Sequence, residues 1–76
     1  MQPTSLILRG DTINLDALLK ASGLVGSGGE AKLLIVGGGV RVNGDVERRR
    51  GRKLRAGDEV AVGSSRVRVM TATTPG

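Results

Sequence analysis

Six of the eight residues from Arg48 to Arg55, RRRGRKLR, carry a cationic side chain, and five of those six are arginines. Like charges packed this closely repel one another, so such a cluster is most useful where it meets an anionic group. The planar guanidinium of arginine forms two parallel hydrogen bonds to a phosphate or a carboxylate, which the ammonium of lysine does not. The composition of this stretch, called the basic segment below, therefore favours a polyanionic partner over a merely solvated surface.

The distribution of charge along the chain supports this interpretation. The stretch from Arg41 to Arg55 contains seven cationic and two anionic residues, which accounts for the whole net charge of +5. In the remainder of the 76 residues, the charges cancel. One cationic element on a neutral scaffold is the pattern expected of a nucleic-acid-binding protein, whereas a generally basic protein would spread its excess charge.

The chain lacks the residues on which most catalytic and zinc sites depend. The chain has no histidine and no cysteine, so the commonest general base and the thiolate ligands of zinc are absent. We therefore expect no catalytic residue, metal site, cofactor or small-molecule substrate. The segment GSGGEA, residues 26–31, matches a dinucleotide-binding pattern, but it follows a predicted helix rather than a strand. It is interpreted as a turn that opens the second helix, whose glycine amides could still receive one phosphate.

The absence of Phe, Tyr and Trp narrows the choice of polyanion. Proteins that bind single strands stack bases on aromatic side chains, and this chain has none. No long recognition helix for the major groove of DNA is predicted, nor an amphipathic helix with aromatic anchors for a membrane. Recognition of the backbone shape of folded or duplex RNA remains. The alternative is a protein-interaction module that docks an acidic partner in a ribosome-associated or RNA-processing complex.

Two short helices are predicted in the first half of the chain. The first begins after an N-cap at Asn14 and ends at Gly23, with leucines at helical spacing on one face. The second opens with a capping box formed by Ser27 and Glu30, and the glycines of residues 37–39 end it. The residues expected to form the core are Leu15, Leu18, Leu34, Ile35 and Val60.

Short strands are predicted on both sides of these helices. SLILRG forms one near the start, and Asn43-Gly44 is a strong signal for a tight hairpin because both turn positions need positive φ. EVAV and RVRVM alternate with valines inward, which leaves the basic segment as a loop between strands. The expected fold is α+β, with two short helices packed on a small antiparallel sheet in one domain, residues 1–70, followed by a disordered tail, residues 71–76. Without a basic leader or a long apolar run, the protein is expected to be cytoplasmic. We also expect it to be a monomer.

The order LDALLKASGLVGSGGEAKLLI, then GGGVRVNGDVERRRGRKLRAGDEVAV, resembles a known family over residues 13–62. It is the RNA-binding domain named after ribosomal small-subunit protein four, also called the alpha-L motif. The most specific part, GVRVNG followed by RRGRKLRAGDEV, is similar to the small stand-alone bacterial members, the YbcJ-like proteins. The resemblance implies two helices on a small sheet and a non-catalytic role in binding structured RNA, either ribosomal or transfer RNA.

In that family, the RNA surface consists of the two helices and the loop between strands. The chain departs from many larger members where they open the first helix with Arg and the second with Ser-Arg, since Asn14 and Ser27-Gly28 occupy those positions. The resemblance therefore places more of the contact on the loop. The RNA-binding residues that it implies are Lys20, Lys32, Arg41, Arg48, Arg49, Arg50, Arg52, Lys53 and Arg55.

Overall fold

The computed structural model describes residues 4–8 and 10–71. The helices and strands, in chain order, are β1 (Thr4–Leu8), β2 (Ile13–Asn14), α1 (Leu15–Ala21), α2 (Gly28–Val36), β3 (Arg41–Val42), β4 (Asp45–Val46), β5 (Lys53–Leu54), β6 (Glu59–Val62) and β7 (Ser65–Thr71). Five strands form one sheet in the order β1-β7-β6-β3-β4, and β2 and β5 form a separate two-stranded ladder. This is the predicted α+β fold with its two helices. The predicted tail lies outside the described residues except for Thr71, which ends β7.

The sheet is mixed rather than purely antiparallel. The pairs β3–β4, β3–β6 and β6–β7 are antiparallel as expected, but β1 runs parallel to β7. A parallel pair needs a long crossover connection. Here both helices and the five short strands β2 to β6 separate β1 from β7 in the sequence. Nothing in the local sequence of β1 indicates this partner.

A single core holds both helices to one face of the sheet. Leu15, Leu18, Ile35 and Val60 are fully buried, as predicted, and Leu34 is partly buried against the same cluster. The sequence analysis did not include Leu54, which is also fully buried. The remaining buried apolar residues are Leu8, Leu19, Val25, Ala31, Val40, Val42, Val67 and Val69.

The helix ends largely follow the local sequence signals. Gly23 has a φ of +79°, and the amides of Gly23 and Leu24 donate to carbonyls of the last turn of α1. At the start of α2, the Ser27 hydroxyl accepts from the Glu30 amide at 3.2 Å, as the capping box requires. The Glu30 carboxylate, however, accepts from the amide of Gly26 at 3.1 Å, one residue before the expected donor.

The hairpin at Asn43-Gly44 forms as predicted, with φ values of 53° and 90° at the two turn residues. Asn43 also joins this turn to the start of β6. Its side-chain oxygen accepts from the Glu59 amide at 2.9 Å, and its side-chain amide donates to Asp58 at 3.1 Å. The Asp58 carboxylate accepts from the Arg55 backbone amide and from the Asn43 side chain, and these bonds hold its pKa below the ordinary value. The turn is therefore held in place by hydrogen bonds from the Asn43 side chain to both Asp58 and Glu59.

Replacing Gly44 with valine is expected to destabilise the protein by about 1–3 kcal/mol, because a β-branched residue at positive φ is strained. A side-chain carbon at this position would meet no atom within 4 Å, so the effect would come from the backbone alone. Thermal unfolding followed by circular dichroism measures the change. Gly44→Asn is the matched control, since asparagine tolerates the left-handed region. Equal midpoints for the two variants would contradict this explanation.

Candidate nucleic-acid interface

The backbone of the basic segment is anchored on the first turn of α1. The amide of Leu15 donates to the carbonyl of Arg52 at 2.9 Å, and the amide of Asp16 donates to that of Arg50 at 3.3 Å. These bonds satisfy helix amides that would otherwise need a capping side chain. Asn14 occupies the predicted N-cap position but makes no side-chain capping bond. Its side-chain oxygen instead accepts from the Lys53 ammonium at 3.0 Å.

Leu54 provides a second anchor. It is the only aliphatic residue of the basic segment, and its side chain is fully buried in the core. In β5 it lies opposite Ile13 of β2, so alternation along the strand leaves Lys53 exposed. The prediction of a loop therefore holds for residues 47–52, and the segment then becomes a strand.

A buried carboxylate offsets the repulsion within the basic segment. Glu47 is only 7 % exposed, and its two oxygens accept from the guanidinium groups of Arg49 and Arg52. The shortest of these bonds, 2.7 Å, comes from Arg52, and the backbone amide of Arg49 adds another at 3.2 Å. These bonds, with that of Arg49 contributing most, lower the pKa of Glu47 from 4.5 to about 2. The sequence analysis missed this role, although an acid directly before three arginines could have indicated it.

The shifted pKa of Glu47 predicts an acid-sensitive basic segment. Because the pKa in the folded protein is lower than the ordinary value, ionised Glu47 stabilises the fold above about pH 4.5, and this contribution is lost as the pH falls towards 2. We expect the thermal midpoint of Glu47→Gln to be lower than that of the parent at pH 7 and to vary less between pH 4.5 and 2. Asp45→Asn is the control with the same change of charge at an exposed site. Parallel pH profiles for Glu47→Gln and the parent would refute the role of this carboxylate.

The five arginines of the basic segment fall into two groups. Arg49 and Arg52 are bound to Glu47, although the Arg49 side chain remains 76 % exposed. Arg48, Arg50 and Arg55 are exposed, and in the part of the chain that the structure describes none of them has an ion-pair partner. These three guanidinium groups are therefore free to bind an external anion.

The other predicted RNA-binding residues lie on different faces of the protein. Lys20 is exposed in the last turn of α1, about 7.5 Å along the helix axis from the turn that anchors the basic segment. Lys32 is exposed on α2. Arg41 lies on the sheet face opposite the helices, because its neighbours Val40 and Val42 point into the core. The structure therefore does not bring Arg41 together with the two lysines.

The N-terminus of α2 already holds an anion. The Glu30 carboxylate accepts from the Gly26 amide there, and the Ser27 hydroxyl accepts from the Glu30 amide. A negative charge at this end of the helix repels a phosphate that approaches the same amides. The alternative that the glycine amides bind a phosphate gains no support from this geometry.

Comparison with known families identifies the family of this chain. A family model described as the S4 domain matches residues 6–70, which is nearly the whole chain. The chain belongs to the S4 domain family. S4 domains generally bind RNA and are typically not enzymes, so RNA binding is the general role of this protein. No curated protein matches the chain.

The described part of this S4 domain offers few features of other functional classes. Across residues 4–8 and 10–71, no helix is long and apolar enough to cross a membrane. Within the same residues, no cluster of three or more His, Cys, Asp or Glu side chains could hold a metal ion.

Proposed function

We propose that this S4 domain binds structured RNA, ribosomal or transfer RNA, through backbone phosphates and without catalysing a reaction. The observation that supports the proposal is the set of exposed guanidinium groups of Arg48, Arg50 and Arg55, which have no carboxylate partner within the described residues. The hairpin and the basic segment of this chain also resemble those of the YbcJ-like members, and this resemblance supports the same role.

The anchoring of the basic segment favours binding to a fixed shape. Two backbone bonds to α1 and the buried Leu54 hold the main chain, while Glu47 holds two of the arginines. Less conformational freedom is then lost when the remaining guanidinium groups meet phosphates. A segment held in this way is better suited to the regular phosphate spacing of folded RNA than to an unstructured strand.

Residues outside the basic segment would extend the contact. Lys20 and Lys32 are exposed on the helix layer, where a second stretch of RNA backbone would meet them.

The bonded cations of the basic segment also contribute to the contact. Most of the Arg49 side chain is accessible despite its bond to Glu47, so it can take part in RNA binding. Lys53 and Arg52 contribute charge, but Asn14 and Glu47 respectively hold their side chains in place.

A salt titration tests the proposed mode of binding. We expect fluorescence anisotropy with a hairpin RNA to give a log–log slope of about −3 to −5, because four to six neutralised phosphates each contribute roughly −0.7 to −0.9. A duplex with a scrambled stem sequence should bind with similar affinity and poly-U much more weakly, since the protein has no aromatic side chain for stacking.

Two results would count against the proposal. Tight, salt-insensitive binding to one loop sequence alone would show that the protein reads bases. If every RNA bound weakly and the binding did not saturate, the result would favour the other hypothesis, in which the basic segment docks an acidic protein.

A further inference from the structure

The sheet face opposite the helices carries a second set of arginines. The strand register places Arg41 of β3 beside Ala61 of β6, and Ala61 beside Arg66 of β7. All three side chains point away from the core, because the next residue along each strand, Val42, Val60 or Val67, is buried. The two arginines thus stand on either side of one small residue, about 9.5 Å apart at the usual strand spacing.

A cavity of about 550 Å³ lies at this place and is open to solvent; it is called the outer groove below. Arg41 and Arg66 line it, and Ala61 contributes a small side chain between them. Gly38 and Gly39 line the same groove, so its wall there is bare backbone. Because these lining residues carry so little side-chain bulk, an anionic group can come close to both guanidinium groups.

The electrostatics of the outer groove favour an anion. In the portion of the chain that is described, no carboxylate lies within 4.0 Å of the guanidinium of Arg41 or Arg66. Glu59 also lines the groove, but its carboxylate is bound to Arg68 at 3.3 Å. Two cations without partners therefore face the groove, and the one lining carboxylate is largely neutralised.

The outer groove is continuous with the basic segment. The Arg48 guanidinium packs over Gly38, where a side-chain carbon on the glycine would lie 3.0 Å from an Arg48 nitrogen. Since Gly38 also lines the groove, cationic groups form a path from Arg48 past the end of α2 to Arg41 and Arg66. This path leads from the helix side of the protein to the opposite face of the sheet.

We propose that the outer groove is a second phosphate-binding subsite, in which Arg41 and Arg66 hold the phosphodiester backbone of the same RNA that the basic segment binds. The inference rests on the proposed function, because it takes the RNA to be the ligand of the basic segment. A phosphodiester fits better than an acidic peptide here. The glycine and alanine lining offers no apolar pocket for the side chains of a peptide, and the groove follows on directly from Arg48.

The test compares two arginines on the same strand and the same face. Arg66→Ala is expected to weaken binding to hairpin RNA about tenfold and to make the log–log salt slope shallower by about 0.7–0.9, because one phosphate contact is lost. Removing Arg68 alone would leave the Glu59 carboxylate in the groove without its cation, so the control is Arg68→Ala in a Glu59→Gln background. This control removes both members of the ion pair and leaves the net charge unchanged, and we expect a change in RNA affinity of about twofold or less. Thermal midpoints of both variants should stay close to that of the parent, since Arg66 and Arg68 are exposed.

A second comparison examines whether Arg41 and Arg66 act together. If they hold one phosphate, the double variant Arg41→Ala/Arg66→Ala should lose less affinity than the product of the two single losses. The effects of substituting two residues that share a partner are not additive. Fully multiplicative losses would overturn the shared subsite.

The outcomes separate this inference from the proposed function. If Arg50→Ala/Arg55→Ala lowers RNA affinity about a hundredfold while Arg66→Ala behaves like the Glu59→Gln/Arg68→Ala control, the outer groove is not a subsite but the proposed function stands. If the parent protein fails to bind RNA with a steep salt dependence, both fail. Binding of polyglutamate that depends on Arg66, with RNA affinity unchanged by Arg66→Ala, would overturn the inference and identify the groove as an acidic-protein site.

Discussion

Replacing both Arg50 and Arg55 with alanine is expected to lower the affinity for hairpin RNA about a hundredfold, because each exposed guanidinium binds a phosphate with a contribution of about one order of magnitude. The salt slope should become shallower by about 1.4–1.8. Folding should be unaffected, since neither side chain has an ion-pair partner within the described residues and alanine keeps the Arg50 carbonyl that accepts from Asp16. Anisotropy titrations and thermal unfolding measure the two effects.

The variant Arg49→Ala/Arg52→Ala removes the same charge and serves as the matched control. It would leave the buried carboxylate of Glu47 without its guanidinium partners, so we expect a lower thermal midpoint as well as weaker binding. A variant Arg50→Lys/Arg55→Lys keeps the charge but loses the bidentate geometry, and its affinity should lie between those of the parent and the alanine variant. Parent-like affinity of Arg50→Ala/Arg55→Ala would show that the basic segment is not the RNA site.

Replacing Leu54 with alanine is expected to have the largest effect on stability, a loss of about 2–5 kcal/mol in the free energy of unfolding. The side chain is fully buried, and its removal leaves a cavity where the basic segment joins the core. A chain of 76 residues has only a small core, so this loss is a large share of the total stability. Urea unfolding followed by circular dichroism measures it, and the basic segment should lose its RNA affinity in proportion to the unfolded fraction.

Leu33→Ala is the control for this substitution. Leu33 is 75 % exposed on α2, so the same chemical change should alter the free energy of unfolding by about 0.5 kcal/mol or less. If Leu54→Ala and Leu33→Ala unfolded at the same urea concentration, the basic segment would not be anchored through Leu54.

The substitutions above distinguish residues that hold the basic segment in place from residues that are available to bind RNA. Leu54 and Glu47 hold the segment in place, Arg49 and Arg52 complete the bonds to Glu47, and Arg48, Arg50 and Arg55 face solvent. From the composition alone, all five arginines look equivalent. Their roles differ because a buried carboxylate binds two of them and leaves the other three available.

The sequence alone determined the local elements of this protein and the character of its surface. The two helices, the Asn43-Gly44 hairpin and the inward valines of β6 and β7 all follow from spacing and turn chemistry within a few residues. The signals at Ser27 and Gly23 placed helix ends correctly for the same reason. The concentration of positive charge, and the resemblance to the family later matched over residues 6–70, were also visible in the sequence.

The tertiary structure decided which distant residues meet. The parallel pairing of β1 with β7 and the β2–β5 ladder join strands that are far apart in the sequence, and local patterns do not encode such partners. Leu54, which pairs with Ile13 in the β2–β5 ladder, is fully buried, and the backbone bonds from Leu15 and Asp16 hold Arg52 and Arg50 on α1. Alternation along β3 is enough to turn Arg41 outward, but only the sheet order places Arg66 beside it across Ala61. A side chain's face follows from its position along one strand, whereas its neighbours depend on how all the strands assemble.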